Sequence, residues 1–181
     1  MQKVLSSKLL YDGILFTVRQ DEVEIKSKPY KRDIVHHKSG GVGVLAMVDD
    51  KIILVKQYRP AVQEEVIEVP AGKLEINEDP MITGMRELGE ECGLKAESLT
   101  KICTMFATPG YCDEQIHLYY AHNVKVLETK VEMDEDEEIE IIQLSLEEAL
   151  QAIQDGKIKD AKTIIAIEYA QIITLKKDNV D

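Results

Sequence analysis

The stretch GKLEINEDPMITGMRELGEECGL, residues 72–94, constrains this chain more than any other. Its middle reads as one helix. Asp79 suits the N-cap, and Pro80 suits the first helical position, where a missing N–H costs nothing. Gly93 suits the stop. These signals predict a helix over 80–92. Gly84 and Gly89 each weaken it by about 1 kcal/mol relative to alanine, which fits either close packing on a neighbour or simple tolerance. Glu87, Glu90 and Glu91 lie three and four residues apart and share one face. Like charges at that spacing destabilise a helix by a few tenths of a kcal/mol per pair. A solvated acidic face would tolerate this repulsion. A hard divalent cation with oxygen ligands would reverse it. The helix alone leaves both readings open.

Strands surround this helix in the sequence. KLLYDGILFTVRQDEVEI alternates around a DG turn, and KRDIVHH is a short strand candidate. GGVGVLAMVDDKIILVKQYRP reads as two buried β-branched runs joined by DDK. VIEVPAG is a strand that ends at Pro and Gly. LTKICTMFATPG, QIHLYYAHNVKV and IEIIQLSL read as further strands, with the acidic loop VEMDEDEE before the last. Ser145 caps a helix over LEEALQAIQDGK that stops at Gly156, and KDAKTIIAIEYAQIITLKK reads as a final helix. Strands, helix, strands and two helices imply a mixed sheet with helices on both faces. The strands up to about residue 38 form a candidate separate antiparallel unit.

Composition narrows the partners. With 34 Asp and Glu against 22 Lys and Arg, the formal charge is -12. The basic footprint of a nucleic-acid binder is missing, and anionic membranes would repel the chain. A small anionic ligand needs bridging cations or a local arginine cluster. Three cysteines (Cys92, Cys103 and Cys112) without CxxC spacing argue against a disulfide framework or a zinc site. The four histidines (36, 37, 117 and 122) lack metal spacing to one another; His117 and His122 read as strand residues, His36 and His37 as an exposed strand end. MQKVLSSKLLYDG lacks the apolar core of a signal peptide. No apolar run approaches the roughly 20 residues of a membrane span. A cytoplasmic location follows as the expectation.

The full spacing around the helix is more specific than the helix. Gly72, Glu78, Arg86, Glu87, Leu88, Glu90, Glu91, Gly93 and Leu94 match G-x5-E-x7-R-E-U-x-E-E-x-G-U, with U aliphatic, at every specified position. This resembles the box of the Nudix hydrolase family. The resemblance implies an α+β fold, an α/β/α sandwich around a mixed sheet, with an N-terminal antiparallel β extension. It implies a segment over 1–38 and a Nudix hydrolase domain over 39–181. It further implies a loop–helix–loop that binds Mg2+, with Mn2+ as the alternative. Glu87, Glu90 and Glu91 would be ligands, joined by the backbone carbonyl of Ala71. Arg86 and Glu78 would pair and hold the loop against the helix, and Gly72 and Gly93 would supply backbone geometry.

Other stretches point to one branch. Pro109 in ATPGYCDEQIHLYYA lies 15 residues after Leu94, a distance that resembles the ADP-ribose pyrophosphatases. KIILVKQYRP, EVIEVPAGKLE, YKRDIVHH and the acidic tail agree with it. The resemblance runs from about Leu9 to Leu175. It implies substrate contacts at Arg59, whose fork suits phosphate, and at Arg32, Glu68, Pro109 and Glu114. Tyr11, Phe16 and Tyr30 are candidates for stacking a base, against a plainer reading as core or strand filler. The general base falls in the late acidic loop, with Glu137 the best match and Glu135 the next; Glu137 is also a candidate metal ligand. Glu90, Glu91 and Arg86 complete the expected catalytic set. The implied reaction is hydrolysis of ADP-ribose to AMP and ribose 5-phosphate. The alternatives are a related hydrolase of a nucleotide sugar such as GDP-mannose, and a non-catalytic ADP-ribose sensor that controls a partner. The branch also implies a homodimer in which residues 1–38 reach the partner and help to build its base pocket.

Overall fold

A computed structural model describes residues 3–75, 77–127 and 138–178. By their own contacts they fall into two units, one of residues up to Gly40 with Met105–Ile116, the other of Gly41–Thr104 with the chain from His117 onward. The first unit takes in 105–116, a segment that the sequence reading groups with the hydrolase domain.

In the first unit, β1 (Lys3–Asp12), β2 (Phe16–Ile25) and β3 (Lys28–His37) form an antiparallel meander with β2 in the middle. The DG turn stands where the alternation places it, and Gly13 N–H donates to the Phe16 carbonyl at 3.0 Å. Every residue of β1 is exposed. Tyr11, Phe16 and Tyr30 are exposed as well, so they are not core. Tyr11 and Phe16 instead pack on each other at 5.8 Å, and Arg32 lies over the Tyr30 ring at 5.9 Å.

The second unit holds the larger sheet. β4 (Gly41–Val48) and β5 (Lys51–Arg59) pair through a two-residue turn in which Asp49 and Asp50 both have positive φ. Aspartate tolerates that conformation, and the mirror-image turn matches the strand twist. β6 (Glu64–Glu68) pairs with β5 and β7 (Ala71–Lys73) with β4. Helix α1 (Pro80–Cys92) follows with the expected bounds. The Asp79 carboxylate accepts from Met81 N–H at 2.9 Å, and Gly93 closes the helix at φ 64°.

Then come β8 (Leu94–Lys95), β9 (Ser98–Phe106), β10 (Gln115–His122), β11 (Lys125–Val126) and β12 (Ile139–Ser145). The large sheet runs β12-β5-β4-β10-β9. α2 (Leu146–Gln154) starts at a Ser145–Glu148 capping box, and α3 (Ala161–Asp178) ends the description. Val42, Val44, Ile53, Val55, Leu88 and Leu99 form the core between α1 and the sheet. Gly84 explains its own presence there. A Cβ on it would stand 3.1–3.2 Å from Leu99, Val44 and Val42, so the helix packs closely on the sheet at that point. His117 and His122 bond to Thr104 and Thr100 across β9 and β10, as strand residues should. Among the described residues no helix is long and apolar enough to cross a membrane.

Candidate active site

The strand-to-helix connection brings the box together. β7 and α1 meet through two contacts: Ala71 N–H donates to Glu91 Oε2 at 2.9 Å, and the Gly72 backbone lies against the Glu87 carboxylate. A Cβ on Gly72 would overlap that carboxylate. Gly72 is needed for room at this close approach rather than for a positive φ, whereas Gly93 takes the left-handed conformation.

Arg86 gathers the carboxylates. Its Nη1 lies 2.9 Å from Glu87 Oε1 and 2.7 Å from Glu90 Oε2, and its Nη2 lies 3.6 Å from Glu78 Oε2. The Arg86–Glu78 pair is as expected, and Thr83 Oγ1 adds a donor to Glu78 Oε2 at 2.7 Å. Burial pushes the guanidinium pKa down, but Glu87, Glu90 and Glu78 outweigh it and drive it up. The Thr83 hydroxyl, with the Glu75 backbone and Arg86, holds Glu78 below its usual range against the effect of burial. Glu87 and Glu91 are buried. This excludes a solvated acidic face, because a buried carboxylate is stable only when paired or ligated. Burial, then the neighbouring Glu91, pushes the Cys92 thiol up to about 12, so it is no nucleophile at neutral pH.

These residues suit a hard divalent cation by donor type. Two buried carboxylates on α1 press on the Ala71–Gly72 backbone, and all the donors are oxygens. As they stand, among the described residues, no three His, Cys, Asp or Glu groups already form a metal-holding set. Arg86 takes the place of a counter-cation for Glu87 and Glu90. Glu137, the expected further ligand and base, and Glu135 lie outside the described residues.

A second charged network is built around Glu68, at the end of β6. Its Oε2 accepts from Arg59 Nε at 2.6 Å and its Oε1 from Lys162 Nζ at 2.6 Å. Both carboxylate oxygens are thus engaged within the protein. Lys162 also meets Asp160 at 3.1 Å, and Thr163 Oγ1 accepts from Val69 N–H at 2.8 Å while donating to Asp160 Oδ2 at 2.6 Å. Arg59 remains partly open to solvent. Burial lowers its pKa, and the Glu68 hydrogen bond and charge raise it further than that, so it is a permanent cation. Sequence reasoning names Arg59 and Glu68 but misses Lys162 and Thr163. The partners stand 94 residues apart, and an Asp-Ala-Lys-Thr helix start carries no signal of its own.

In the first unit, Arg32 and Pro109 line one cavity of about 450 Å³ with Asp33, Phe106, Tyr111 and Cys112. Thr108 O accepts from Tyr111 and Cys112 N–H at 3.2 and 2.9 Å, which fixes the turn at Pro109. Asp113 straps this loop to β3. Its carboxylate meets His36 Nδ1 at 2.6 Å and accepts from His37 N–H at 2.8 Å. Glu114 lies 3.7 Å from His37 Nε2. His37 is therefore partly buried and engaged, not an exposed strand end; Gly40 N–H also donates to its Nδ1 at 2.9 Å.

The model of the NUDIX domain matches residues 37–166. The chain belongs to the Nudix family. This Nudix chain is 42% identical to the ADP-ribose pyrophosphatase of Bacillus subtilis (strain 168) over 173 residues, 94% of this chain and 93% of that one. It is 39% identical to the methanol dehydrogenase activator of Bacillus methanolicus over the same coverage. GDP-mannose pyrophosphatases match at lower identity. A crystal structure described as an ADP compounds hydrolase shares the fold at a TM-score of 0.87. It covers 97% of this chain and 95% of its own, with 20% sequence identity.

Proposed function

We propose that this Nudix protein hydrolyses the pyrophosphate bond of ADP-ribose, giving AMP and ribose 5-phosphate. The observation that carries the reading is the 42% identity to an ADP-ribose pyrophosphatase across nearly the whole of both chains. The buried carboxylates of α1 support it, since the chemistry requires them.

Glu87, Glu90 and Glu91 with the Ala71 carbonyl would hold Mg2+, or Mn2+ as the alternative, and Glu137 would add a further ligand. When bound, such a cation neutralises phosphate charge and makes water a better nucleophile at neutral pH. Arg86 keeps the carboxylates gathered and paired before the cation arrives. Arg59, held at Nε by Glu68, offers its terminal N–H groups to a phosphate oxygen. Glu137 takes the proton from the attacking water. In the first unit, Arg32 and Pro109 line a cavity of about 450 Å³ that suits part of a nucleotide. Glu114, 3.7 Å from His37 Nε2, is a further candidate substrate contact in the same unit. A protein of charge -12 would bind the anion through Arg59, Arg32 and the bound divalent cation, which supply positive charge locally.

The same reading covers assembly and place. The exposed apolar side chains of β1 and its turn (Leu9, Leu10 and Ile14 among them) support a homodimer formed through residues 1–38. Three free cysteines support a reducing, cytoplasmic setting.

A panel of ADP-ribose, GDP-mannose, ADP-glucose, NADH and diadenosine polyphosphates, each with Mg2+, Mn2+ or EDTA, tests the proposal. ADP-ribose should lead and EDTA should abolish turnover; a leading GDP-sugar would overturn the substrate. A second reading, control of a partner protein, is favoured by the 39% identity to a dehydrogenase activator. E90Q/E91Q separates the two, since an enzyme loses its output and a pure binder keeps it.

A further inference from the structure

Glu68 is a buried carboxylate with two cations on it, and only one of them, Arg59, is open to solvent. The other, Lys162, is 9% exposed and cannot reach a ligand outside the protein. Its location in the first turn of α3, on the other carboxylate oxygen of Glu68 from Arg59, has a consequence for Arg59. Lys162 meets Oε1, and the guanidinium meets Oε2 through Nε at 2.6 Å. Among the described residues Arg59 makes its side-chain hydrogen bond through Nε rather than through the Nη groups.

We infer that Lys162 is a positioning residue for phosphate binding: it neutralises Glu68 from Oε1, so that Arg59 pairs with Oε2 through Nε and keeps its terminal N–H groups for substrate. This rests on the reading of Arg59 as a phosphate contact.

The physical logic is the cost of an unpaired buried charge. Without Lys162, Glu68 Oε1 would lose its cationic partner while the residue stays buried. The other cation paired with Glu68 is Arg59. A guanidinium and a carboxylate favour a two-point fork when both oxygens are available. Arg59 would then turn inward and spend a second N–H on Glu68. Thr163 holds the same turn of α3 to Val69, beside the strand end that carries Glu68, so the helix start is fixed in place while Lys162 acts.

The test compares wild type, K162M and K162R. Steady-state turnover of ADP-ribose with Mg2+ should show KM raised about tenfold in K162M, with kcat within about threefold of wild type. K162R, which keeps the cation, should restore most of the KM. The second readout needs no substrate: the Arg59 Nε–Hε NMR cross-peak, assigned by its loss in R59K, should move in K162M and return toward its wild-type position in K162R. K162Q, smaller in its disturbance, stands in if K162M does not fold. An unmoved Arg59 cross-peak overturns the inference. So does a K162M whose Tm falls while KM stays at the wild-type value. Failure of the functional reading looks different: wild type then cleaves no ADP-ribose, while the cross-peak still decides what Lys162 does to Arg59.

Discussion

Arg86 touches Glu78, Glu87 and Glu90 with two nitrogens, and this is what lets Glu87 and Glu90 share one helix face, with Glu78 brought against it from the loop before α1, without metal. Replacing it with leucine should cost about 2 kcal/mol in metal-free urea melts, less than a fully buried pair because Arg86 is a third exposed. Saturating Mg2+ should return part of that loss, since a cation bound only by the folded state stabilises it. A melt of R86L that matches wild type without metal would contradict the role. Gly72 is argued from space. G72A should lower turnover roughly a hundredfold by pushing the Glu87 carboxylate aside, with circular dichroism showing the fold retained. Nothing in the sequence tells that Gly72 is there for room. That follows only once α1 is laid against β7.

At the scale of elements, α1 was legible in the sequence, because its N-cap, its first-position proline and its stop glycine are all local signals. The β4–β5 turn and the Ser145 capping box were legible for the same reason. The Glu68–Lys162 pair and the Asp113 strap were not, since each joins residues 76 or more positions apart. The strap makes its own prediction. Burial tends to raise the Asp113 carboxyl, but the His36 ring and the His37 N–H outweigh it and hold it below its ordinary value of 3.8. Its folded pKa is lower than its unfolded one. The stabilisation it gives is therefore full above the unfolded value and is lost as pH falls through the folded one. D113N should be less stable than wild type at pH 7, by under about 1 kcal/mol because the half-exposed carboxylate is screened by solvent, and the gap should narrow in denaturant melts as pH falls below 3.8. A gap that persists at low pH would show that the carboxylate charge is not what holds the loop.

At the scale of the whole molecule, the proposed dimer predicts a light-scattering mass of about 41 kDa, twice the 20.5 kDa chain, at micromolar concentration. Leu10→Glu on β1 should shift it toward 20.5 kDa, and a wild-type monomer would refute the assembly. The central claim is that the acidic face of α1 serves a metal-dependent cleavage of ADP-ribose. The measurement that tests it most directly is AMP release from ADP-ribose, followed by mass spectrometry, for wild type in Mg2+, wild type in EDTA, and E87Q/E91Q in Mg2+. The account predicts AMP and ribose 5-phosphate in the first sample and neither in the other two. AMP formed at an undiminished rate in EDTA, or by E87Q/E91Q, would contradict it.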